Sequence, residues 1–144
     1  MDKKQRESVH NKFNGHCAYC GKEIGYKEMQ VDHLIPKWHT WTDRELERHN
    51  KYVQSLIDNN IPTNAKKIMR GADSLNNYMP ACRRCNYNKS TLSIEEFRKV
   101  IAHKPKVLAN NTAYKMAIDY GLITENPVKV TFYFEKVDTN KPVK

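Results

Sequence analysis

Along most of this chain apolar side chains recur every three or four residues, the spacing that puts them on one face of a helix. Lys3 to Phe13 reads as a short helix with Val9 and Phe13 on one face, closed by Asn14-Gly15. A second helix begins at Thr42. Thr42-Asp43-Arg44-Glu45 has the pattern of a capping box, and Leu46, Tyr52, Val53, Leu56 and Ile57 supply the apolar face. It ends near Asn59-Asn60, ahead of Pro62. Cys82 to Ser90 reads as a short helix. Ser93-Ile94-Glu95-Glu96 caps another, which carries Phe97, Val100 and Ile101 and stops before Pro105, and Lys106 to Tyr120 is a further helical stretch closed by Gly121. Two segments break this rhythm. Met29 to Ile35 is a strand stopped by Pro36, which has no N–H for a ladder. Val128 to Phe134 alternates with period two and predicts a strand burying Val128, Val130, Phe132 and Phe134. With Gly71 to Asn77 as loop and no repeat or linker, the expected fold is one α+β domain.

Length and charge narrow the class. A chain of 144 residues is long enough to bury a core, and its longest apolar runs are far short of the roughly 20 residues a membrane span needs. Met1 to Glu7 leads into no apolar stretch, so the expected location is cytoplasmic and reducing, where four cysteines rarely form disulfides. A net charge of +9 favours a polyanion partner such as nucleic acid, with a merely solvated basic surface as the alternative.

Cys17-x-x-Cys20 and Cys82-x-x-Cys85 contain every cysteine of the chain. Two such pairs suit a tetrahedral zinc, each pair gripping one edge, and four thiolates leave no open position for a substrate. Buried free thiols or a redox pair are the competing readings. A second set is harder: Asp32 and His33 on the first strand, Asn77 in the loop, and Asn86 directly after Cys85. One step along a helix turns Asn86 by about 100° away from its neighbour while keeping it near, so a zinc at Cys85 would fix the helix that presents Asn86 and Lys89. Each residue alone also reads as an ordinary surface or turn residue. Their joint spacing is the signal.

The stretches C-A-Y-C-G, V-D-H-L-I-P and G-A-D-S-L-N-N-Y-M-P-A-C-R-R-C-N-Y-N-K-S, over residues 15–36 and 71–90, resemble the HNH endonuclease family in its cysteine-bearing form. The resemblance implies a ββα-metal (His-Me finger) core over about 14–91, stapled by one structural zinc. A helical insertion over about 37–70 and a C-terminal extension over about 92–144, of helices plus a strand, complete the expected domain. It implies hydrolysis of DNA phosphodiesters to 5′-phosphate and 3′-hydroxyl ends with one catalytic Mg²⁺ or Mn²⁺. Asp32 and Asn86 match its metal ligands, and hard oxygen donors suit those ions. His33 is the expected general base, since an imidazole is the side chain suited to take a proton near neutral pH. Asn77 matches the motif's middle residue, whose side-chain or backbone oxygen is expected to hold His33 in the useful tautomer. Asp32 and His33 face opposite sides of an ideal strand, so serving one centre requires the strand to twist or end there.

Lys89, Arg83 and Arg84 are candidate DNA contacts, Lys89 at the scissile or an adjacent phosphate; Arg98, Lys99, Lys104, Lys106, Lys66, Lys67 and Arg70 are further basic candidates. Trp38, His39 and Trp41 either insert into DNA or anchor the insertion. His10, His16, His49 and His103 receive no role. The C-terminal elements extend the core, bind DNA or mediate assembly, and monomer and homodimer both stay open. Two other functions remain beside the nuclease: a non-catalytic zinc-stapled nucleic-acid-binding module, and a toxin-like nuclease of lower selectivity.

Overall fold

The computed structural model describes residues 1–37, 42–65 and 67–137, so Trp38, His39, Trp41 and Lys66 lie outside the described residues. Among the described residues the fold is α+β: helices around a small two-stranded antiparallel sheet. Helix α1 (Lys3–Asn11) is capped by Asp2 and buries Val9; the chain then turns through Asn14 and Gly15, both at positive φ, and buries Phe13 as the pattern predicts. The knuckle of residues 17–20 follows, closed by Gly21 at φ +73°. Strand β1 (Gln30–His33) pairs with β2 (Tyr78–Ala81) in the register Asp32 to Met79 and His33 to Tyr78. Helix α3 (Arg83–Lys89) leaves β2 at once and packs on β1.

Between the strands lies the insertion. Its helix α2 (Asp43–Asp58) starts at Thr42, whose hydroxyl accepts from the Glu45 N–H while the Glu45 carboxylate accepts from the Thr42 N–H. The returning chain is held to this helix by Asn50, whose amide donates to the Ile68 carbonyl and accepts from the Ile68 N–H, each at 2.7 Å. The apolar face is narrower than the sequence suggests. Leu46 and Val53 are buried, whereas Tyr52 and Ile57 are exposed.

Helix α4 (Ile94–Ala102) has the expected Ser93–Glu96 capping box and buries Phe97. The stretch after Pro105 is two helices rather than one, α5 (Lys104–Leu108) and α6 (Thr112–Asp119), with Asn111 capping the second. The predicted C-terminal strand is absent from the described residues. Residues 121–132 carry no ladder, and a short helix α7 (Tyr133–Lys136) follows. Phe132 is buried and Val130 and Phe134 are half-buried, but Val128 is exposed. The Tyr133 and Phe134 N–H groups donate to the Tyr19 and Ala18 carbonyls instead, so this segment closes the core beneath the knuckle. Among the described residues no helix is long and apolar enough to cross a membrane.

Candidate functional site

The four cysteines meet. Their sulfur atoms lie within 4.8 Å of one another, with Cys20 Sγ and Cys82 Sγ 3.9 Å apart. Sulfurs of a tetrahedral zinc–thiolate site with bonds of about 2.3 Å stand roughly 3.8 Å apart, whereas a disulfide needs about 2.05 Å. The donor set therefore fits zinc. Cys17, Cys82 and Cys85 are buried and Cys20 is exposed. A hydrogen bond from Cys85 draws the Cys17 thiol down to about 4, and Cys17 in turn, with burial, pushes the Cys85 thiol up. One thiolate thus forms readily in a cluster whose remaining protons a metal would displace. The cluster joins the knuckle to the start of α3, where Cys82 is the N-cap residue.

Tyr19, between the two knuckle cysteines, points inward and carries this frame to Asp32. Its hydroxyl donates to Asp32 Oδ2, and its ring lies edge-on to Phe97 and Phe132. Burial, then the Asp32 charge, pushes its phenol far above the ordinary range, so it remains a donor. The second partner of Asp32 Oδ2 is Lys89 Nζ at 3.0 Å. Lys89 is fully buried and also donates to the His33 carbonyl at 2.7 Å. Its expected place at a phosphate is thereby corrected. A side chain three residues after Asn86 turns into the core because β1 supplies a carboxylate and a carbonyl for its ammonium.

Both contacts fall on Oδ2; no hydrogen bond to Oδ1 occurs among the described residues. Asp32, Asn86, Tyr87, Asn88 and Ser90 line one open depression of about 660 Å³. The carboxylate and the amide expected to share a metal are therefore brought to one place. The His33 ring meets the Tyr78 ring edge-on at 5.2 Å and Asp73 Oδ1 through Nε2 at 2.8 Å. The strand ends at His33, the condition under which two consecutive residues can serve one centre.

Asn77 does not touch the His33 ring in the contacts present, which corrects its expected role. Its Oδ1 accepts from the Ile35 N–H at 2.8 Å, and its Nδ2 donates to the Ile35 and Ala72 carbonyls at 3.0 Å. The Leu34 N–H donates to the Asn77 carbonyl and the Gly71 N–H to that of Pro36. Asn77 is thus a clasp across the two ends of the insertion. The group at the His33 ring is Asp73, whose Oδ1 accepts from Nε2 at 2.8 Å; its Oδ2 is ion-paired with Lys37, and the Tyr78 hydroxyl donates to Oδ1 at 3.3 Å. Lys37, and then the His33 ring, hold the Asp73 carboxyl down at about 2.

Of the basic candidates, Arg83 and Arg84 are exposed and line a second open pocket with Lys22, Glu28 and Cys82. Arg98 is occupied structurally. It pairs with Glu95 and Glu135, donates to the Val130 carbonyl and covers the Phe132 ring at 4.7 Å. Arg70 pairs with Asp43 at 3.0 Å, Lys104 donates to Asn88 Oδ1, and Lys67, Lys99 and Lys106 are exposed. Tyr19 and Asp73 escaped the sequence reading. The one signal for Tyr19 was its place between paired cysteines, and for Asp73 its loop position before β2.

No protein-family model and no curated protein matches the chain. Among solved structures the chain is similar to the Type II-C Cas9 enzyme from Actinomyces naeslundii, at 21% identity and a TM-score of 0.42, covering 66% of this chain and 7% of that one. The chain therefore spans a small part of that enzyme's length, and a likeness of this degree carries no argument about what it does.

Proposed function

We propose that this protein is a divalent-metal-dependent DNA endonuclease of the HNH type, cutting phosphodiesters to leave 5′-phosphate and 3′-hydroxyl ends. The observation that carries the reading is the shared depression of Asp32 and Asn86, beside a four-cysteine frame and at the end of the strand that holds His33. Two oxygen donors fit Mg²⁺ or Mn²⁺ better than a softer ion, and Asp32 Oδ1 and the Asn86 amide oxygen would hold it. Such an ion, when bound, supplies charge neutralisation at the phosphate and leaving oxygen.

The chain's own residues do the rest. Because the Asp73 carboxylate is an acceptor only, the His33 Nε2 must carry the proton of that hydrogen bond, which leaves Nδ1 of the neutral ring as the basic atom. His33 Nδ1 takes the proton from the attacking water. Lys89 and Tyr19 fix the Asp32 carboxylate, and Lys89 ties it to the His33 backbone, so the two consecutive residues hold one spacing. Arg83, Arg84 and Lys22 offer charge to the DNA backbone along α3. One such unit cuts one strand.

The test is relaxation of supercoiled plasmid in Mg²⁺ or Mn²⁺, with RNA and single-stranded DNA as parallel substrates. His33→Ala is expected to lose roughly 10²–10⁴-fold in rate, the contribution of a general base. Retention within a few-fold, or binding without cutting under both metals, overturns the proposal.

A further inference from the structure

The Asp73 contact deepens the proposed chemistry and rests on it. Asp73 sits in the loop that leads into β2, far in sequence from His33, and reaches it only because the two ends of the insertion are clasped. The Ala72 carbonyl accepts from Asn77 Nδ2, and the Gly71 N–H donates to the Pro36 carbonyl. These bonds set the backbone immediately before Asp73 against the backbone immediately after β1. The carboxylate is itself held from two further sides, Lys37 Nζ on Oδ2 and the Tyr78 hydroxyl on Oδ1. Tyr78 also packs edge-on against the imidazole. The ring is therefore fixed in plane by Asp73 and in tilt by Tyr78.

We infer that Asp73 is the positioning residue of His33: its carboxylate accepts from Nε2 and so selects the neutral tautomer whose lone pair is on Nδ1. A neutral imidazole left to itself distributes its proton between both nitrogens, and only one arrangement presents a lone pair to a given side. Asp73 removes the wrong one. Lys37, directly after Pro36, holds Asp73 in turn, so the entry to the insertion is wired to the general base through one carboxylate.

Two measurements test this. Asp73→Ala should lower kcat by about 10- to 100-fold, part of what a general base supplies, with KM for DNA and the Mg²⁺ requirement unchanged. In a His33→Ala background the same substitution should add less than a twofold effect, because its whole action passes through the ring. In parallel, ¹⁵N imidazole spectra recorded where His33 is neutral should show the Nε2–H tautomer in the wild type and a mixture in Asp73→Ala. A kcat within twofold of wild type, an equal loss in the His33→Ala background, or an unchanged tautomer signature each overturns the inference. If the wild type cuts no nucleic acid, the nuclease reading fails, while the ring spectrum still decides whether Asp73 sets the tautomer.

Discussion

Lys89 has no exposed surface, and three groups meet its side-chain nitrogen. Asp32 supplies the counter-charge, the His33 carbonyl accepts a second hydrogen bond, and the Tyr19 ring faces the ammonium at 6.0 Å. A buried pair gains little over an apolar core, but removing one member strands the other. Lys89→Met keeps most of the volume and leaves the Asp32 carboxylate with Tyr19 as its remaining partner. The expected loss is about 3–5 kcal/mol, read as a lower midpoint in urea unfolding. A midpoint shift worth under about 1 kcal/mol means the pair is not desolvated as described. At this scale the sequence was partly legible. Asp32 and Asn86 announce themselves by chemistry and spacing, and they do meet at one depression. Lys89 was legible as a neighbour of Asn86 but not as a core residue, since nothing in its local pattern says that a carboxylate and a carbonyl of a distant strand wait for it. Asp73 was hidden for a similar reason: its partner lies across the whole insertion.

At the scale of elements, the insertion is a lobe with a narrow neck. The neck is made where Gly71 passes the chain after β1 with no space for a side chain. A Cβ there would overlap the Ile35 carbonyl oxygen and stand 2.7 Å from Asn77 Nδ2. Gly71 is needed for that close approach. Gly71→Ala should push the two chains apart, break the Asn77 clasp and swing Asp73 from His33. The expected result is lower stability by about 1–3 kcal/mol, the range for overpacking, with faster amide exchange at Leu34, Ile35 and Gly71 than at α1. Uniform exchange across the molecule would contradict a local neck. The Thr42–Glu45 and Ser93–Glu96 capping boxes were readable because they are local, four residues each, and need nothing from elsewhere. The C-terminal strand was misread because alternation reports burial, not pairing. Burying an aromatic side chain is worth about 1.5–3 kcal/mol against about 1 kcal/mol net for a hydrogen bond. Phe132 stacks on Phe97 at 5.3 Å and Phe134 on Phe132 at 5.8 Å, and the backbone takes whatever acceptors the knuckle offers.

For the molecule as a whole, the sheet has two strands and is too small to hold a fold by itself. What gathers the parts is the four-cysteine cluster: it joins the segment after α1 to α3, and through Tyr19 it meets the aromatic stack of α4 and the C-terminal segment. Structural zinc sites contribute apparent free energies of about 10–16 kcal/mol in small zinc peptides, as large as the whole stability of an ordinary domain, about 5–15 kcal/mol. Metal loss should therefore unfold the core rather than loosen one end. Elemental analysis of protein purified without chelator should find about one zinc per chain. Stripping it should abolish the near-ultraviolet circular dichroism of the buried aromatics together with activity, and Cys82→Ser should do the same. The sign with pH follows from the thiols: zinc needs all four deprotonated, so affinity falls as pH falls. Asn86→Ala is the contrast, since its side chain lines the open depression and holds nothing in the core; cleavage should be lost while zinc content and the unfolding midpoint stay as in wild type. Zinc-free protein with an intact aromatic signal would remove the cluster from the fold, and an Asn86→Ala protein that loses zinc would make Asn86 part of the zinc frame.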